Sequence, residues 1–458
     1  MPSESALRFR PARTLLIQIG LIAAASTVLL MQPFATPLDP REREHFYWDR
    51  HLWQCIYDSF SAACGCGQLT IRETYSAAGR VILTLAAIAG SLAYVVAAHR
   101  ASIRLRMAVG GTSGPLAGLS AVLMCWAASI ALSGVVWIVV AVARGGMPVG
   151  DALMTGAATA GGCGLLFAPL APTMHIAALV SSIFAAAGWP LLLTLVGRNA
   201  DIGVRKRRIV WSCFGYFVSL ALLTTIVALC EQPLQRGQRQ VVLDQTLSAE
   251  TASVRWQRAA TAVVCAAGSG LPTEAADARS LSEGSRFALG LAAWLGGLGG
   301  SATGGVKWSL FILAFAAVVG SAGISARATS AHWTAHRCVR AAVRVVGVQL
   351  VLTIVAALGL LVIQRQTASP FDPTPGLAEA WLDASAAVNG AAVSSGISAN
   401  VTSGRLSKGL GLSADLYQYG MGWLMLAMLL GRAAPIAIVS RAADEPLSDA
   451  PAGTSPLA

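Results

Sequence analysis

Long apolar runs separated by short polar or basic segments dominate the chain. Apolar runs of about 20 residues recur near 14–34, 77–98, 117–143, 173–197, 209–230, 286–322, 345–364 and 416–440. As helices rising about 1.5 Å per residue, each is long enough for about 30 Å of hydrocarbon, so the pattern predicts eight crossings. The sixth run is too long for one span and holds Gly296, Gly297, Gly299, Gly300, Gly304 and Gly305 with Ser301 and Thr303. Each interior glycine costs about 1 kcal/mol relative to alanine. This run therefore predicts two half-helices joined by a loop, not a continuous helix.

Four short small-residue segments lie between a polar linker and the next apolar run: SAACGCGQL (61–69), TGAATAGGCG (155–164), AVVCAAGSG (262–270) and SAAVNGAAVSSG (385–396). With Gly67, Gly161, Gly268 and Ala391 as loop centres, they are spaced by 94, 107 and 123 residues. Every quarter then reads as a crossing, a short descending segment (about 53–63 and 150–158 in the first two), a glycine-centred return and a second crossing. A unit that crosses twice leaves its successor in the same orientation, so the units are related by an axis along the membrane normal. The expected fold is an all-α polytopic membrane protein with four pseudo-symmetric helix–pore loop–helix units around a central pore. The units are 1–108, 109–208, 209–344 (with the glycine-rich loop) and 345–442, followed by a tail, 443–458.

Such loops have a limited chemistry. Irregular backbone is tolerated at membrane depth only where it is buried in protein or lines water. Glycine lets several carbonyls turn toward one axis, and rings of carbonyl oxygens replace the hydration shell of a monovalent cation. The descending segments would point the negative ends of their dipoles at that cation.

Composition agrees: 55% of residues are hydrophobic and 12% charged, and the mean hydropathy is +0.63, values that exclude a soluble globular domain. Basic residues cluster at Arg8, Arg10 and Arg13; at Arg100, Arg104 and Arg106; at Arg198 and Arg205 to Arg208; and at Arg327, Arg337, Arg340 and Arg344, whereas the alternate loops mix signs. The positive-inside rule places both termini and these loops in the cytoplasm. Topology thus accounts for the net charge of +11, and no nucleic-acid partner is expected. The first apolar run lacks a small-residue cleavage site before Gln32-Pro33 and reads as a retained crossing. Cys64, Cys66, Cys163 and Cys265 lie in the loop segments without acidic or histidine partners and read as small packing residues. Asp58, Asp151 and Asp383 each start a descending segment, where they would concentrate cations at the outer mouth.

Several stretches resemble the Trk/Ktr/HKT superfamily of potassium transporters, specifically its membrane subunit. GGLGGSATGGVKW (296–308) is similar to the glycine-rich signature of that family's third unit, and MLLGRAAPIAI (428–438) to the end of its last crossing. SAACGCGQL, GAATAGGCG and CAAGSG are similar to its first three loops. The resemblance implies an ion filter at Cys66 and Gly67, Ala160 and Gly161, Ala267 and Gly268, and Gly390 and Ala391. It implies an intramembrane gate at Gly300, Ser301, Thr303, Gly304, Gly305 and Lys307, and a pore barrier at Arg432. Lys307 reads either as a pore-side charge or as an anchor at the cytoplasmic face. Counted from Ser385 as from Ser61, the fourth filter position is Ala391; a one-residue shift places Gly390 there instead. In the family, a small residue replacing a filter glycine goes with weaker potassium preference and sodium passage.

The expected activity is uptake of potassium, bound only at the filter, across the cytoplasmic (inner) membrane of the cell down its electrochemical gradient. Each charge gains about 2.3 kcal/mol per 100 mV, so no cofactor and no enzymatic step is needed. The resemblance further implies a homodimer in contact with membrane lipid and a cytoplasmic nucleotide-binding regulatory subunit, with basic loops 198–208 and 326–344 as docking candidates. The alternatives are a secondary carrier of a small solute, which would want an intramembrane carboxylate, and a non-conducting relative with a relaxed filter.

Overall fold

The computed structural model describes residues 11–35, 48–67, 75–108, 119–166, 172–196, 203–231, 252–271, 281–298, 301–320, 330–367, 376–391, 393 and 413–444. These residues form α-helices and one 3-10 turn, with no strand among them. The helices are α1 (Pro11–Leu30), α2 (Trp48–Ala63), α3 (Ala77–Ala108), α4 (Leu119–Arg144), α5 (Val149–Ala160), α6 (His175–Val196), α7 (Gly203–Cys230), α8 (Ala252–Gly268), α9 (Glu283–Leu295), α10 (Trp308–Gly320), α11 (Ser330–Thr367), α12 (Leu377–Asn389) and α13 (Ser413–Asp444).

Three helices recur four times. Within each set, α1–α2–α3, α4–α5–α6, α7–α8–α9 and α11–α12–α13, every helix packs on the other two. Between sets, each returning helix packs on the next descending one: α3 on α5, α6 on α8, α9 on α12, and α13 back on α2. The last of these contacts closes the ring. A hydrophobic cluster across that closing seam joins Leu15, Ile19 and Tyr57 to Met421, Leu424, Met428 and Ile436.

The leading helices face outward. In the most apolar stretches of α1, α4, α7 and α11, 28%, 28%, 33% and 28% of residues are buried, against 56% in α3 and 44% in α13. Their open faces carry Leu21, Val28, Val135, Val142, Phe214, Leu222, Val351 and Leu358. A belt of this kind is stable only against lipid. The returning helices instead bury alanine, glycine and serine against the short descending helices, which is how membrane helices reach close packing.

Of the eight expected crossings, six are helices long and apolar enough to span a membrane: α1, α3, α4, α7, α11 and α13. The fourth corresponds to α6, whose described apolar part, His175–Ala187, is shorter than a span. The sixth is broken, as its glycines require: α9 and α10 have 13 residues each, too few to cross alone. The expected unit boundaries at 208 and 344 fall inside α7 and α11. Among the described residues, the basic positions from Arg205 to Arg208 and from Arg337 to Arg344 lie within the leading helices.

Candidate functional site

Each descending helix ends in small residues, and its last turn is closed by the same backbone bond, an N–H donating to the carbonyl five residues earlier. The pairs are Cys66 to Ser61 (2.8 Å), Cys163 to Ala158 (3.0 Å), Gly270 to Cys265 (2.6 Å) and Ala391 to Ala386 (2.8 Å). This is how a helix stops at a left-handed residue. Gly65, Gly162 and Gly390 supply that residue at φ 71°, 76° and 70°, whereas the third loop puts Ser269 at the matching place and carries the left-handed angle at Gly270, φ 71°.

These bonds fix the register, and it differs from the expected one. Cys66, Cys163, Gly270 and Ala391 are equivalent, so Gly67 matches Gly164, Leu271 and residue 392. The expected filter residues Ala160, Gly161, Ala267 and Gly268 lie three residues before the positions equivalent to Cys66 and Gly67. Ala160 ends α5, Gly161 caps it in the right-handed region (φ −69°, ψ −3°), and Ala267 and Gly268 belong to the last turn of α8. Matching glycine to glycine failed because helix persists through small residues until the first left-handed one. The fourth position also resolves differently. Gly390 corresponds to Gly65 and Ala391 to Cys66, while residue 392, the partner of Gly67, lies outside the described residues.

The backbones of the first two loops touch. A Cβ on Gly67 would stand 2.7 Å from the carbonyl carbon of Gly164 and 2.8 Å from the nitrogen of Leu165, distances that only glycine tolerates. The loop side chains turn back into the ring. Cys66 Sγ lies 3.4 Å from Ala387 O of the fourth unit, Cys163 Sγ 3.9 Å from Ala62 O of the first, and Ser269 Oγ 2.7 Å from Ser182 Oγ of the second. Among the described residues no cluster of metal-ligating side chains occurs.

Beneath the loops sits Arg432, only 4% exposed. Pro435 lies inside α13 and has no N–H for the carbonyl of Gly431 four residues earlier. Gln349 Nε2 of α11 donates to that carbonyl instead, at 2.8 Å. A side chain at Gly431 would overlap the backbone of Val388, so α13 passes against the end of α12 and delivers the next residue under the loops. Arg432 Nε donates to Cys64 O at 2.6 Å and Nη1 to Ala302 O at 3.4 Å, and the guanidinium lies 4.7 Å from the Tyr94 ring centroid.

Of the expected gate, Gly300 lies outside the described residues. Ser301, Thr303, Gly304, Gly305 and Lys307 line a tight return between α9 and α10. Val306 N–H bonds Trp294 O at 2.9 Å, Trp308 N–H bonds Gly297 O at 3.1 Å, and Leu298 N–H bonds Ala186 O of α6 at 2.9 Å. Gly162 of the second loop lies against Ala302 and Thr303, and Gly304 against the carbonyl of Asn389. Lys307 is folded inward. Its Nζ donates to Ser301 O (3.1 Å), Ser301 Oγ (2.9 Å), Thr303 O and Thr303 Oγ1 (3.3 Å), and stands 5.7 Å from the Tyr94 ring. Tyr94, between both cations, was missed from sequence because one aromatic residue in an apolar run carries no pattern.

The carboxylates expected at an open mouth are buried. Asp58 accepts a 2.7 Å bond from Tyr75 Oη, Asp151 takes both oxygens to Arg80 at 3.0 and 2.8 Å, and Asp383 is fully buried. They brace the descending helices and are not arrayed to collect ions.

No protein-family model and no curated protein sequence matches the chain. Among solved structures its fold is similar to that of the potassium transporter TrkH from Vibrio parahaemolyticus, with a TM-score of 0.61 and 14% sequence identity over 92% of this chain and 82% of that one. The two share an all-helical membrane fold.

Proposed function

We propose that the protein conducts potassium into the cell through the ring of four loops, driven by the electrochemical gradient. The observation that carries this reading is the backbone-lined meeting of the loops directly above a buried guanidinium. Carbonyl-rich backbone at membrane depth suits a dehydrated monovalent cation, and a fixed positive charge below it is a barrier that a cation conductor must control. The filter comprises Cys66, Gly67, Cys163, Gly164, Gly270, Leu271 and Ala391. The gate is Ser301 to Lys307, and the barrier is Arg432. A carrier coupled through an intramembrane carboxylate is less well supported, since Asp58 and Asp151 are held by Tyr75 and Arg80.

The resemblance to Trk-type transporters extends the reading to the inner membrane with cytoplasmic termini, a homodimer and a cytoplasmic nucleotide-binding regulatory subunit. With α7 and α11 helical across 203–208 and 337–344, such a subunit would meet helix ends, not loose loops. The test is growth of a potassium-uptake-deficient bacterium on limiting potassium, with cell potassium and sodium assayed together. The wild type rescues growth, and Gly67→Asp, which drives a side chain between the first two loops, does not. Absence of rescue by correctly inserted wild type with a regulatory subunit supplied, or rescue untouched by Gly67→Asp, overturns the reading.

A further inference from the structure

The four seams of the ring are not equivalent in charge. At the seam between the first and second units, Arg80 is the fourth residue of returning helix α3 and Asp151 the third of descending helix α5; both Asp151 oxygens bond Arg80 Nη1, at 3.0 and 2.8 Å. Diagonally opposite, between the third and fourth units, Arg286 is the fourth residue of α9 and Glu379 the third of α12, and their side chains form an ion pair. The same helix positions therefore meet in the same way at two opposed seams. In the register set by the loops, Asp151 and Glu379 each stand twelve residues before the closing bond, and the matching positions in the first and third units are Gln54 and Arg258, so no carboxylate stands there at the other two seams.

Both ties are built in. Side-chain exposures are 25% and 11% for Arg80 and Asp151, and 14% and 18% for Arg286 and Glu379. Arg80 Nε also donates to Tyr75 O at 3.2 Å, and Tyr75 Oη holds Asp58 of α2, so one arginine links the first two descending helices. Glu379 turns its second oxygen to the N–H of Gly376 at 3.0 Å, capping α12. Each carboxylate stands in the first turn of its helix, where the dipole favours negative charge. From Asp151 the helix runs about 15 Å to its loop as a rigid rod, so movement of the tied end moves the loop.

We propose that Arg80 and Arg286 are positioning residues for ion discrimination: they fix the outer ends of α5 and α12 and thereby the spacing of two opposite filter loops. This rests on the pore reading above. A filter distinguishes cations by how closely its carbonyls hold a preferred geometry, and loosening two opposed loops widens the ring along one diagonal.

The test is cation flux in liposomes holding the purified full chain, comparing potassium with sodium for the wild type, Arg80→Met, Arg286→Met and both together. Each single variant lowers the potassium-to-sodium ratio about two- to fivefold, the factor of a partly exposed ion pair. The double variant loses the product of the two factors, because the seams share no partner. Exchanging the charges, Arg80→Asp with Asp151→Arg, recovers the ratio, a result that lost packing alone would not give. If Arg80→Met does not accumulate, Arg80→Lys, with charge but no forked donor, carries the same test and gives an intermediate ratio. An unchanged ratio accompanied by a lower unfolding midpoint overturns the inference and leaves simple braces, as does a change at one seam alone. A wild type that passes no monovalent cation removes the pore reading and this inference with it, whereas a conducting wild type with unaltered variants removes the inference alone.

Discussion

Replacing Arg432 with glutamine removes a charge from beneath the loops while leaving a side chain able to donate to Cys64 O. An ion sharing that carbonyl would stand about 6 Å from the guanidinium, and at an effective dielectric constant of about 20 the repulsion is about 2.8 kcal/mol. The site is 4% exposed, so solvent screens little of this. At about 1.4 kcal/mol per tenfold, Arg432→Gln raises the rate of cation passage about 100-fold. Arg432→Lys, which keeps the charge, stays near the wild type. Glutamine is preferred to alanine because a stranded buried carbonyl costs about 1–3 kcal/mol and would confound the comparison. The assay is potassium flux per inserted protein in liposomes under an imposed potential. Equal or slower flux through well-folded Arg432→Gln would refute the barrier, since no other change to this side chain's charge could then be called permissive.

Three further outcomes follow from the packing around that arginine. Gly431→Ala lowers the unfolding midpoint in detergent, by about 1–3 kcal/mol of overpacking against Val388, whereas Gly347→Ala, with nothing within 4 Å of the new methyl, is neutral or stabilising. Gln349→Met destabilises by about 1–3 kcal/mol through the stranded carbonyl of Gly431, and Pro435→Ala, which restores a helical N–H to that carbonyl, removes most of the penalty in a double-mutant cycle. Lys307→Met, read by the same flux assay, raises passage less than Arg432→Gln, because four oxygens already surround the ammonium it removes.

The crossings, the repeat and the broken sixth run were legible because bilayer thickness and backbone satisfaction leave few solutions for apolar segments of this length. Register was not. Ala160, Gly161, Ala267 and Gly268 share the small-residue composition of Cys66 and Gly67, yet helix stops where a left-handed residue first appears, which composition does not mark. Asp58 and Asp151 were misplaced for a related reason. Asp151 does stand in the first turn of α5, but α2 begins at Trp48 and so carries Asp58 in its second half. Neither place gives the facing of the side chain, and the partners Tyr75 and Arg80 lie across a loop or in another unit. Arg432 was legible as an unusual charge in an apolar run. Its burial depended on the pairing of Pro435 with Gln349, 86 residues away in sequence, which no local pattern reveals.

The contacts of Arg432 also constrain how the path would open. Its guanidinium, carried by the fourth unit, holds a carbonyl of the first loop and one of the gate in the third unit, so the two obstructions share a side chain. Withdrawing the gate alone removes Ala302 O but leaves the 2.6 Å bond to Cys64 O, and the charge stays under the loops. Moving Arg432 alone leaves Ser301 to Lys307 packed against Gly162 and Asn389. On the pore reading, opening would therefore move α13 and the α9–α10 return together. Tyr94, which both cations face, lies where the two movements meet and belongs to α3, whose outer end is tied by Arg80.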